Sequence, residues 1–331
     1  MTADAVLVVG PSWVGDMVMA QSLFKTLKDR RPDSAIDVLA PAWSLPVLQR
    51  MPEVRTAISI PVKHGELAIA TRRRLGHSLR GQYARAIILP RSLKSALVPW
   101  FARIRRRTGY RGEMRYGVVN DIRPLDRALL DQTVKRFVAL GLDAGERLAA
   151  VPQPALTISA VNRQAIMGKL GLDDGRPVVA MMPGAEYGPA KCWPLENFTT
   201  LAGMLDADGY AVWVLGSERD REAGLQIAAA GNARNLCGQT SLADAIDLLA
   251  GCRAAVSNDS GLMHVAAAAG THVVAIYGSS SPAYTPPLTA RSSIHYLALP
   301  CSPCFERQCP LGHLRCLRDL GPGQVRASIC S

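Results

Sequence analysis

Residues 254–264 read AAVSNDSGLMH, and this stretch joins two elements of opposite character. Ala254 to Val256 are apolar and predict the end of a buried strand, whereas Val265 to Ala269 predict a helix. The polar residues between them therefore fall at the carboxyl end of a strand and at a helix N-terminus, where free N–H groups and the helix dipole favour a phosphate. An Asp, a hydroxyl, a Gly and a His together indicate a nucleotide-linked ligand. In the alternative interpretation, Asp259 or Ser260 only caps the helix.

The same alternation of elements extends through the first half of the chain. Residues 5–10, AVLVVG, form a short apolar run typical of a parallel strand that is buried on both faces. A loop from Pro11 to Gly15 follows, and then a helix from about Asp16 to Arg30. The further predicted elements are strands at Ile36 to Leu39, Ile58 to Ile60 and Ile87 to Leu89, and a basic helix around Ser92 to Ile104. This order predicts a doubly wound parallel sheet.

The second half repeats this organisation after residues 151–154, VPQP, where two prolines disfavour regular pairing. Its predicted elements are strands at Val178 to Met182, Tyr210 to Leu215 and Val273 to Tyr277, a strand ending at Asp259, and helices near Leu195 to Leu205 and Ser241 to Leu249. The predicted fold class is α/β, with two Rossmann-like domains, residues 1–153 and 154–331, facing each other across a cleft. Ligands on such sheets bind outside the carboxyl ends of the strands.

The 331 residues carry a net charge of +11, and the excess lies in one half. Residues 1–150 contain 25 Lys and Arg against 13 Asp and Glu, whereas residues 151–331 contain 13 against 14. Such a field attracts nucleic acid, an anionic membrane or a phosphorylated substrate, and the alternative is a solvated basic face. Because the chain has only five Phe and no RNA-binding or zinc-finger pattern accompanies the basic residues, we expect no nucleic-acid partner.

The composition is that of an ordinary globular protein, with 48% hydrophobic and 20% charged residues. No apolar run approaches the roughly 20 residues of a membrane span. The first residues lack the basic start of a signal peptide and lead directly into a strand. We therefore expect a cytoplasmic protein.

Three more loops follow predicted strands. Residues 184–194, GAEYGPAKCWP, hold Lys191, which is either a solvated loop lysine or a charge that neutralises a diphosphate. Residues 216–220, GSERD, hold Glu218, which either accepts from a sugar hydroxyl or begins a helix. Asp16, after the first strand, is either a first-turn acid or a base that faces the phosphate site and removes a proton from an attacking hydroxyl.

Two common nucleotide-binding signatures are missing from the sequence. Gly10 and Gly15 have the glycine spacing of a Walker A motif, but Asp16-Met17 replaces its Lys-Ser/Thr. No G-x-G-x-x-G sequence occurs either. Both observations count against an NTPase and a nicotinamide-dependent enzyme.

Four motifs, in this order along the chain, carry a resemblance to a known family: GD at 15–16, KCWP at 191–194, GSE at 216–218 and NDSGLMHVAAA at 258–268. With them the chain resembles glycosyltransferase family 9, the ADP-heptose:lipopolysaccharide heptosyltransferases. The resemblance implies a GT-B fold and an inverting transfer of L-glycero-D-manno-heptose from ADP-heptose, with no metal or cofactor required for catalysis. The tail, PCSPC at 300–304 and CPLGH at 309–313, is most similar to members whose acceptor is the first inner-core heptose on Kdo2-lipid A.

The resemblance also implies roles for single residues. Asp16 would be the general base, and Lys191 would bind the diphosphate and stabilise its developing charge. The implied donor contacts are Gly184 in the loop of Lys191, Glu218 near the ribose, Thr240, Ser241 and Leu242 beside the adenine, Asp259 on the sugar, and Ser260, Gly261 and His264 on the phosphates. Glu186 and Tyr187 stand where some relatives carry paired hydroxyl residues.

The basic first half would meet an acceptor that is carried by a membrane. Phosphates and Kdo carboxylates of the lipid A-linked oligosaccharide are the expected counter-charges. The residues expected to contact them are Lys63, Arg91, Lys94, Arg111 and Arg115. We therefore expect peripheral contact with an anionic membrane surface, at the cytoplasmic face of the inner membrane.

Four cysteines lie within 16 residues near the end of the chain, at Cys301, Cys304, Cys309 and Cys316. Their number and the initial Cys-x-x-Cys are compatible with a tetrahedral structural zinc site. Free thiols and disulfides are the alternatives, and a cytosolic compartment disfavours permanent disulfides. In each case we expect a structural role, remote from the chemistry.

Two other functional hypotheses stay open. One is a family 9 relative with a different donor or acceptor. The other is a non-catalytic protein that binds a nucleotide or a polyanion.

Overall fold

The structure is a computed structural model, and it describes residues 5–62, 65–172, 175–229 and 231–330. The chain divides into two compact units, Met1–Pro154 (unit 1) and Ala155–Ser331 (unit 2). Among the described residues, none of the helices combines the length and the hydropathy of a membrane span.

Unit 1 is organised around a six-stranded parallel sheet. Its strands are β1 Val6–Val9, β2 Ile36–Ala40, β3 Val54–Ser59, β4 Arg85–Ile88, β5 Arg106–Tyr110 and β6 Asp121–Arg123. Its helices are α1 Val14–Arg30, α2 Leu45–Leu48, α3 Ile69–Ser78, α4 Leu93–Phe101 and α5 Thr133–Ala139. The spatial order is β3-β2-β1-β4-β5-β6, and Val6 of the central β1 pairs with Ile36 on one side and Arg85 on the other. All four residues of β1 are buried, as its continuous apolar run predicts.

Unit 2 contains a second six-stranded parallel sheet. Its strands are β7 Val178–Met182, β8 Ala211–Val214, β9 Arg234–Asn235, β10 Ala254–Asn258, β11 His272–Tyr277 and β12 Ser292–Tyr296. Its helices are α6 Ala160–Leu170, α7 Leu195–Ala207, α8 Arg221–Ala228, α9 Leu242–Leu249, α10 Gly261–Ala268, α11 Arg315–Arg318 and α12 Pro322–Cys330. The spatial order is β12-β11-β10-β7-β8-β9. Ala254 of β10 pairs with His272 on one side and Val179 on the other.

Both sheets have the strand order of the Rossmann fold. If the strands of each unit are numbered from one to six along the chain, both orders read 3-2-1-4-5-6. The direction of chain progression reverses between β1 and β4 in unit 1, and between β7 and β10 in unit 2. Ligands of doubly wound sheets bind at this switch point, outside the carboxyl ends of the strands. The predicted α/β class with two doubly wound, Rossmann-like sheets is confirmed.

Helix α10 begins earlier than predicted. Its first residue is Gly261 rather than Val265, because the Ser260 hydroxyl accepts a hydrogen bond from the Met263 backbone N–H and so caps the helix. His264 therefore lies in the first turn of α10 and not in the loop before it. Ser260 therefore caps α10.

Candidate functional site

Two residues of opposite charge meet at the switch point of unit 2. Lys191 lies in the loop after β7, at the end of a short 3-10 turn, and Asp259 directly follows β10. The Lys191 Nζ is 2.5 Å from Asp259 Oδ2. The side chain of Asp259 is only 4% exposed and that of Lys191 18%, so water screens the pair weakly. The sequence predicts that the loops after these two strands lie at the same edge of the sheet. Lys191 and Asp259 do meet there.

A buried amide joins the same two loops. The Asn258 Oδ1 accepts a hydrogen bond from the Trp193 backbone N–H at 3.0 Å, and its Nδ2 donates to the Pro183 carbonyl at 2.6 Å. Asn258 is fully buried, so these bonds stand in a region of low dielectric. The end of β10 is therefore fixed to both sides of the loop that carries Lys191.

His264 lies close to this pair, on the first turn of α10. Its side chain is 4% exposed, and burial lowers the pKa of the imidazole to about 4. The Asp259 carboxylate acts in the opposite direction and the Lys191 ammonium in the same direction, both more weakly. The ring is therefore neutral at physiological pH. Its Nδ1 has no hydrogen-bond partner among the described residues, which leaves a buried polar atom for a ligand to satisfy.

The loop after β8 is packed against its neighbours through acidic side chains. Asp220 accepts from the Ser217 N–H and hydroxyl, and a Cβ on Gly184 would lie 2.3 Å from its Oδ1. A Cβ on Gly238 would meet the Glu218 carboxylate. Glycines at these two positions therefore let the β8 loop approach the β7 and β9 loops closely.

The remaining donor candidates follow β9. Thr240 is half-buried, and Ser241 caps α9 through a reciprocal pair with Asp244, so Leu242 is the first residue of that helix. Because the strands of the sheet are parallel, the loops after β7, β8, β9 and β10 all leave the same edge. Unit 2 thus gathers the predicted donor residues at one edge.

Asp16 follows the first strand of unit 1, as Lys191 follows the first strand of unit 2. It lies in the first turn of α1, after β1, and its side chain is half-buried. Two tryptophans lie near this position. Trp13, which is 49% exposed, directly precedes α1. Trp43 reaches the same loop, because its indole N–H donates to the Ser12 carbonyl at 2.9 Å. Neither tryptophan is among the site residues predicted above, and the sequence signal for them is a Trp in each of two loops that follow a strand.

The predicted acceptor residues differ in accessibility. Arg91 and Arg111 are exposed, and Lys94 is half-buried on α4. Arg115 is 2% exposed, and its guanidinium donates to the carbonyls of Pro90, Ser92 and Tyr110. It therefore braces the loop after β4 and is not available to an acceptor. Lys63 lies outside the described residues.

Comparison with known proteins identifies the family. The model of "Glycosyltransferase family 9 (heptosyltransferase)" matches residues 72–315. The chain is 48% identical to the lipopolysaccharide heptosyltransferase 2 of Salmonella typhimurium and 47% identical to that of Escherichia coli K12, in each case over 97% of this chain and 96% of the relative. The chain belongs to glycosyltransferase family 9. A solved structure of E. coli ADP-heptose lps heptosyltransferase II matches it with a TM-score of 0.88 at 45% identity, covering 98% of this chain and 97% of that one.

The family predicted from the motifs is thereby confirmed, and with it the prediction that the protein is a glycosyltransferase. In this family 9 enzyme the motif residues Lys191, Asp259 and His264 are neighbours.

The cysteines of this family 9 enzyme do not form the predicted zinc site. All eight cysteines are free thiols, which also excludes the disulfide alternative in this structure. Burial, and then the thiols of Cys301, Cys309 and Cys304, raise the pKa of Cys316, so the four lie in one region. Nevertheless, no group of three or more His, Cys, Asp or Glu side chains in the described part of the chain is arranged to hold a metal ion.

Part of the cysteine segment, residues 301–316, lies beside the candidate site, whereas for its cysteines the sequence predicts a structural role remote from the chemistry. Phe305 and Arg307 of this segment contact the loop that carries Lys191. The Arg307 Nε donates to the Tyr187 carbonyl at 2.7 Å, and the Tyr187 hydroxyl donates to the Phe305 carbonyl at 2.6 Å. Sequence reasoning missed both residues, because the partners lie about 120 positions apart.

Proposed function

We propose that this family 9 glycosyltransferase transfers L-glycero-D-manno-heptose from ADP-heptose to the first heptose of the lipopolysaccharide inner core, heptosyl-Kdo2-lipid A. The transfer is a single displacement that inverts the anomeric carbon. The names of relatives that align over nearly their whole length support the sugar and the acceptor. The name of the solved relative supports the ADP-heptose donor.

The observation that carries the proposal is the Lys191–Asp259 pair at the switch point of unit 2. Lysine has three N–H donors, so Lys191 can keep its bond to Asp259 and still donate to a diphosphate oxygen. Beside it, the N-terminus of α10 and the neutral His264 offer further polar contacts for a diphosphate. This cradle would stabilise the negative charge that develops on departing ADP, so the proposed mechanism needs no metal or other cofactor.

Asp16 is the proposed general base. The acceptor hydroxyl gives its proton to the Asp16 carboxylate while its oxygen forms a bond to the anomeric carbon of the donor heptose. The bond between that carbon and the diphosphate oxygen breaks, and its electron pair leaves with ADP. A single displacement inverts the configuration and forms no covalent intermediate on the protein. The proposal requires unit 1 to present Asp16 to a donor bound on unit 2.

The remaining proposed donor contacts come from residues at the same edge of the sheet in unit 2. Glu218 would accept from the ribose hydroxyls, and Asp259 would accept from a hydroxyl of the heptose. Gly184 would allow the β7 loop to approach the donor, and Ser260 and Gly261 would place backbone N–H groups near the phosphates. Residues Thr240, Ser241 and Leu242 would flank the adenine.

The acceptor would bind on unit 1, which carries the whole excess of positive charge. Arg91, Lys94 and Arg111 would pair with phosphates and Kdo carboxylates, and Lys63 is retained from the sequence analysis. The exposed indole of Trp43 offers an apolar face to a sugar ring. The same charge would hold the enzyme at the cytoplasmic face of the inner membrane by peripheral contact.

The experiment that tests the function combines the purified enzyme with ADP-heptose and heptosyl-Kdo2-lipid A, with and without a chelator. We expect the acceptor to gain one heptose, detected by mass spectrometry, with the inverted anomeric configuration by NMR and an unchanged rate in the chelator. Transfer only to Kdo2-lipid A, or only from a UDP-sugar, would assign a different reaction of the family. Binding of ADP-heptose without any transfer would indicate a non-catalytic protein.

A further inference from the structure

Two cations lie near the ring of Tyr187, in the loop that carries Lys191. The Lys191 Nζ is 5.2 Å from the centroid of the Tyr187 ring, and the Arg307 guanidinium carbon is 5.7 Å from the same centroid. Both distances are within the range at which a cation is attracted to the face of an aromatic ring. Lys191 is thus held from two directions, by the Asp259 carboxylate and by the Tyr187 ring.

The cysteine segment fixes Tyr187 in this place. The Tyr187 hydroxyl donates to the Phe305 carbonyl, and the Arg307 Nε donates to the Tyr187 carbonyl. The Ala190 N–H, next to Lys191, donates to the Arg307 carbonyl at 3.1 Å. Three hydrogen bonds therefore tie the loop before Lys191 to a stretch of only three residues in the segment, residues 305–307.

A second connection runs through the end of β11. The Phe305 N–H donates to the Ser279 carbonyl at 2.7 Å, and the Ser279 N–H donates to the Ala190 carbonyl at 3.2 Å. Gly188 is part of the same contact, because a Cβ there would lie 2.6 Å from the Arg307 carbonyl oxygen. The close approach explains why a glycine stands three residues before the lysine.

We infer that Tyr187 and Arg307 are positioning residues for Lys191. Arg307 and Phe305 hold the Tyr187 ring, and the ring holds the Lys191 ammonium where it meets the donor diphosphate. The inference rests on the proposed role of Lys191. It gives the cysteine segment a function in donor binding through Phe305 and Arg307.

The test measures ADP binding by calorimetry and the KM values of both substrates for a set of single variants. Tyr187→Leu, which removes the ring, should weaken ADP binding about 5-fold and raise the donor KM by a similar factor, because one cation–π contact at a partly exposed site is lost. Tyr187→Phe keeps the ring but loses the hydrogen bond to the Phe305 carbonyl, so its effect should lie between that of Tyr187→Leu and none. Arg307→Met should resemble Tyr187→Leu. The acceptor KM should not change in any of them.

Arg315→Ala is the matched control, because Arg315 belongs to the same segment but pairs with Asp319 on an exposed surface. It should leave ADP binding unchanged. A general loss of folding would instead lower the unfolding temperature and move both KM values, so thermal unfolding is measured for every variant.

A double-variant comparison separates the two proposals. In a Lys191→Ala background, Tyr187→Leu should have no further effect on ADP binding, because the ring then has no ammonium to hold. If Lys191→Ala itself leaves ADP binding unchanged, the proposed role of Lys191 fails. If Lys191→Ala weakens binding but Tyr187→Leu does not, or weakens it equally in both backgrounds, the positioning inference alone is overturned.

Discussion

The Lys191 Nζ and Asp259 Oδ2 are 2.5 Å apart, and the two residues follow the strands between which the second sheet reverses its order. The opposite charges therefore meet where the fold places ligands. In unit 1 the corresponding positions after β1 and β4 are held by Asp16, in the first turn of α1, and Arg91, in the loop before α4. Each unit thus has one carboxylate and one cationic side chain after the two strands of its switch point. In unit 1 the carboxylate follows the first strand, whereas in unit 2 the cation does.

Breaking the buried pair should cost both stability and activity. Lys191→Met leaves the Asp259 carboxylate buried without its cation, and we expect the free energy of unfolding of unit 2 to fall by about 3 kcal/mol. Adding Asp259→Asn removes the unpaired charge and should restore most of that stability. The rate of transfer should stay at least about 10²-fold below the wild type in both, because the diphosphate has lost its cation.

Urea unfolding and steady-state kinetics on the same preparations check this expectation. Activity that returns together with stability in the double variant would show that Lys191 acts only in folding.

Asp16→Asn should lower kcat by about 10²-fold or more, because an amide cannot take the proton of the acceptor hydroxyl. The affinity for ADP-heptose, measured by calorimetry, should not change, since the proposed donor contacts all belong to unit 2. Asp29→Asn is the matched control, an exposed carboxylate near the other end of the same helix, and should keep full activity. Equal rates for the two variants would remove Asp16 from the mechanism.

The sequence predicts best the strands with continuous apolar runs. Residues 5–10 and 178–182 are such runs, and both form central strands within a residue or two of the predicted bounds. The strands β5, Arg106–Tyr110, and β9, Arg234–Asn235, were not predicted. Strand β5 begins with two arginines, and β9 has only two residues. Neither therefore contains the apolar run that distinguishes a buried strand from a loop in the sequence.

The candidate site also has contacts that the sequence predicts and contacts that it does not. The meeting of Lys191 with Asp259 follows from parallel strands, whose carboxyl ends share one edge. The burial of Arg115 could not be predicted, because its partners are backbone carbonyls, which every residue has. The contact of Arg307 with Tyr187 joins segments that share no strand pairing, so no periodicity in the sequence encodes it.

A methyl group at Gly184 should disturb the donor edge. Its Cβ would lie 2.3 Å from Asp220 Oδ1, and the other oxygen of this carboxylate, Oδ2, accepts from the Ser217 N–H and so caps the turn after β8. Gly184→Ala should therefore displace the loop of Glu218 and weaken ADP binding by about 10-fold, the loss expected when a cap and its neighbouring contact are disrupted.

Gly168→Ala provides the control for that substitution. Gly168 lies inside α6, and a Cβ there meets no atom within 4 Å. The change should leave ADP binding unaltered and stabilise the protein by about 0.5–1 kcal/mol, because alanine is the better helix former. Calorimetry that gives the same affinity for both variants would contradict the steric argument at Gly184.

His264 makes the stability of unit 2 depend on pH. Its pKa is about 4 in the folded protein because of burial, and about 6.5 in an unfolded chain. Between these values the unfolded state binds a proton that the folded state does not. The free energy of unfolding therefore falls as the pH drops from about 6.5 towards 4, and the contribution is fully restored above 6.5.

The variant His264→Gln isolates this contribution from the carboxylates that titrate in the same range. Each pH unit in which only the unfolded imidazole is protonated costs about 1.4 kcal/mol, so between pH 7 and 4.5 the wild type should lose about 2–3 kcal/mol more than the variant. Urea unfolding at the two pH values measures the difference. In labelled wild-type protein, the one histidine NMR signal absent from the variant should not titrate above pH 5. Titration of that signal near pH 6.5 would mean that the ring is solvated, and the diphosphate cradle would then lack its neutral imidazole.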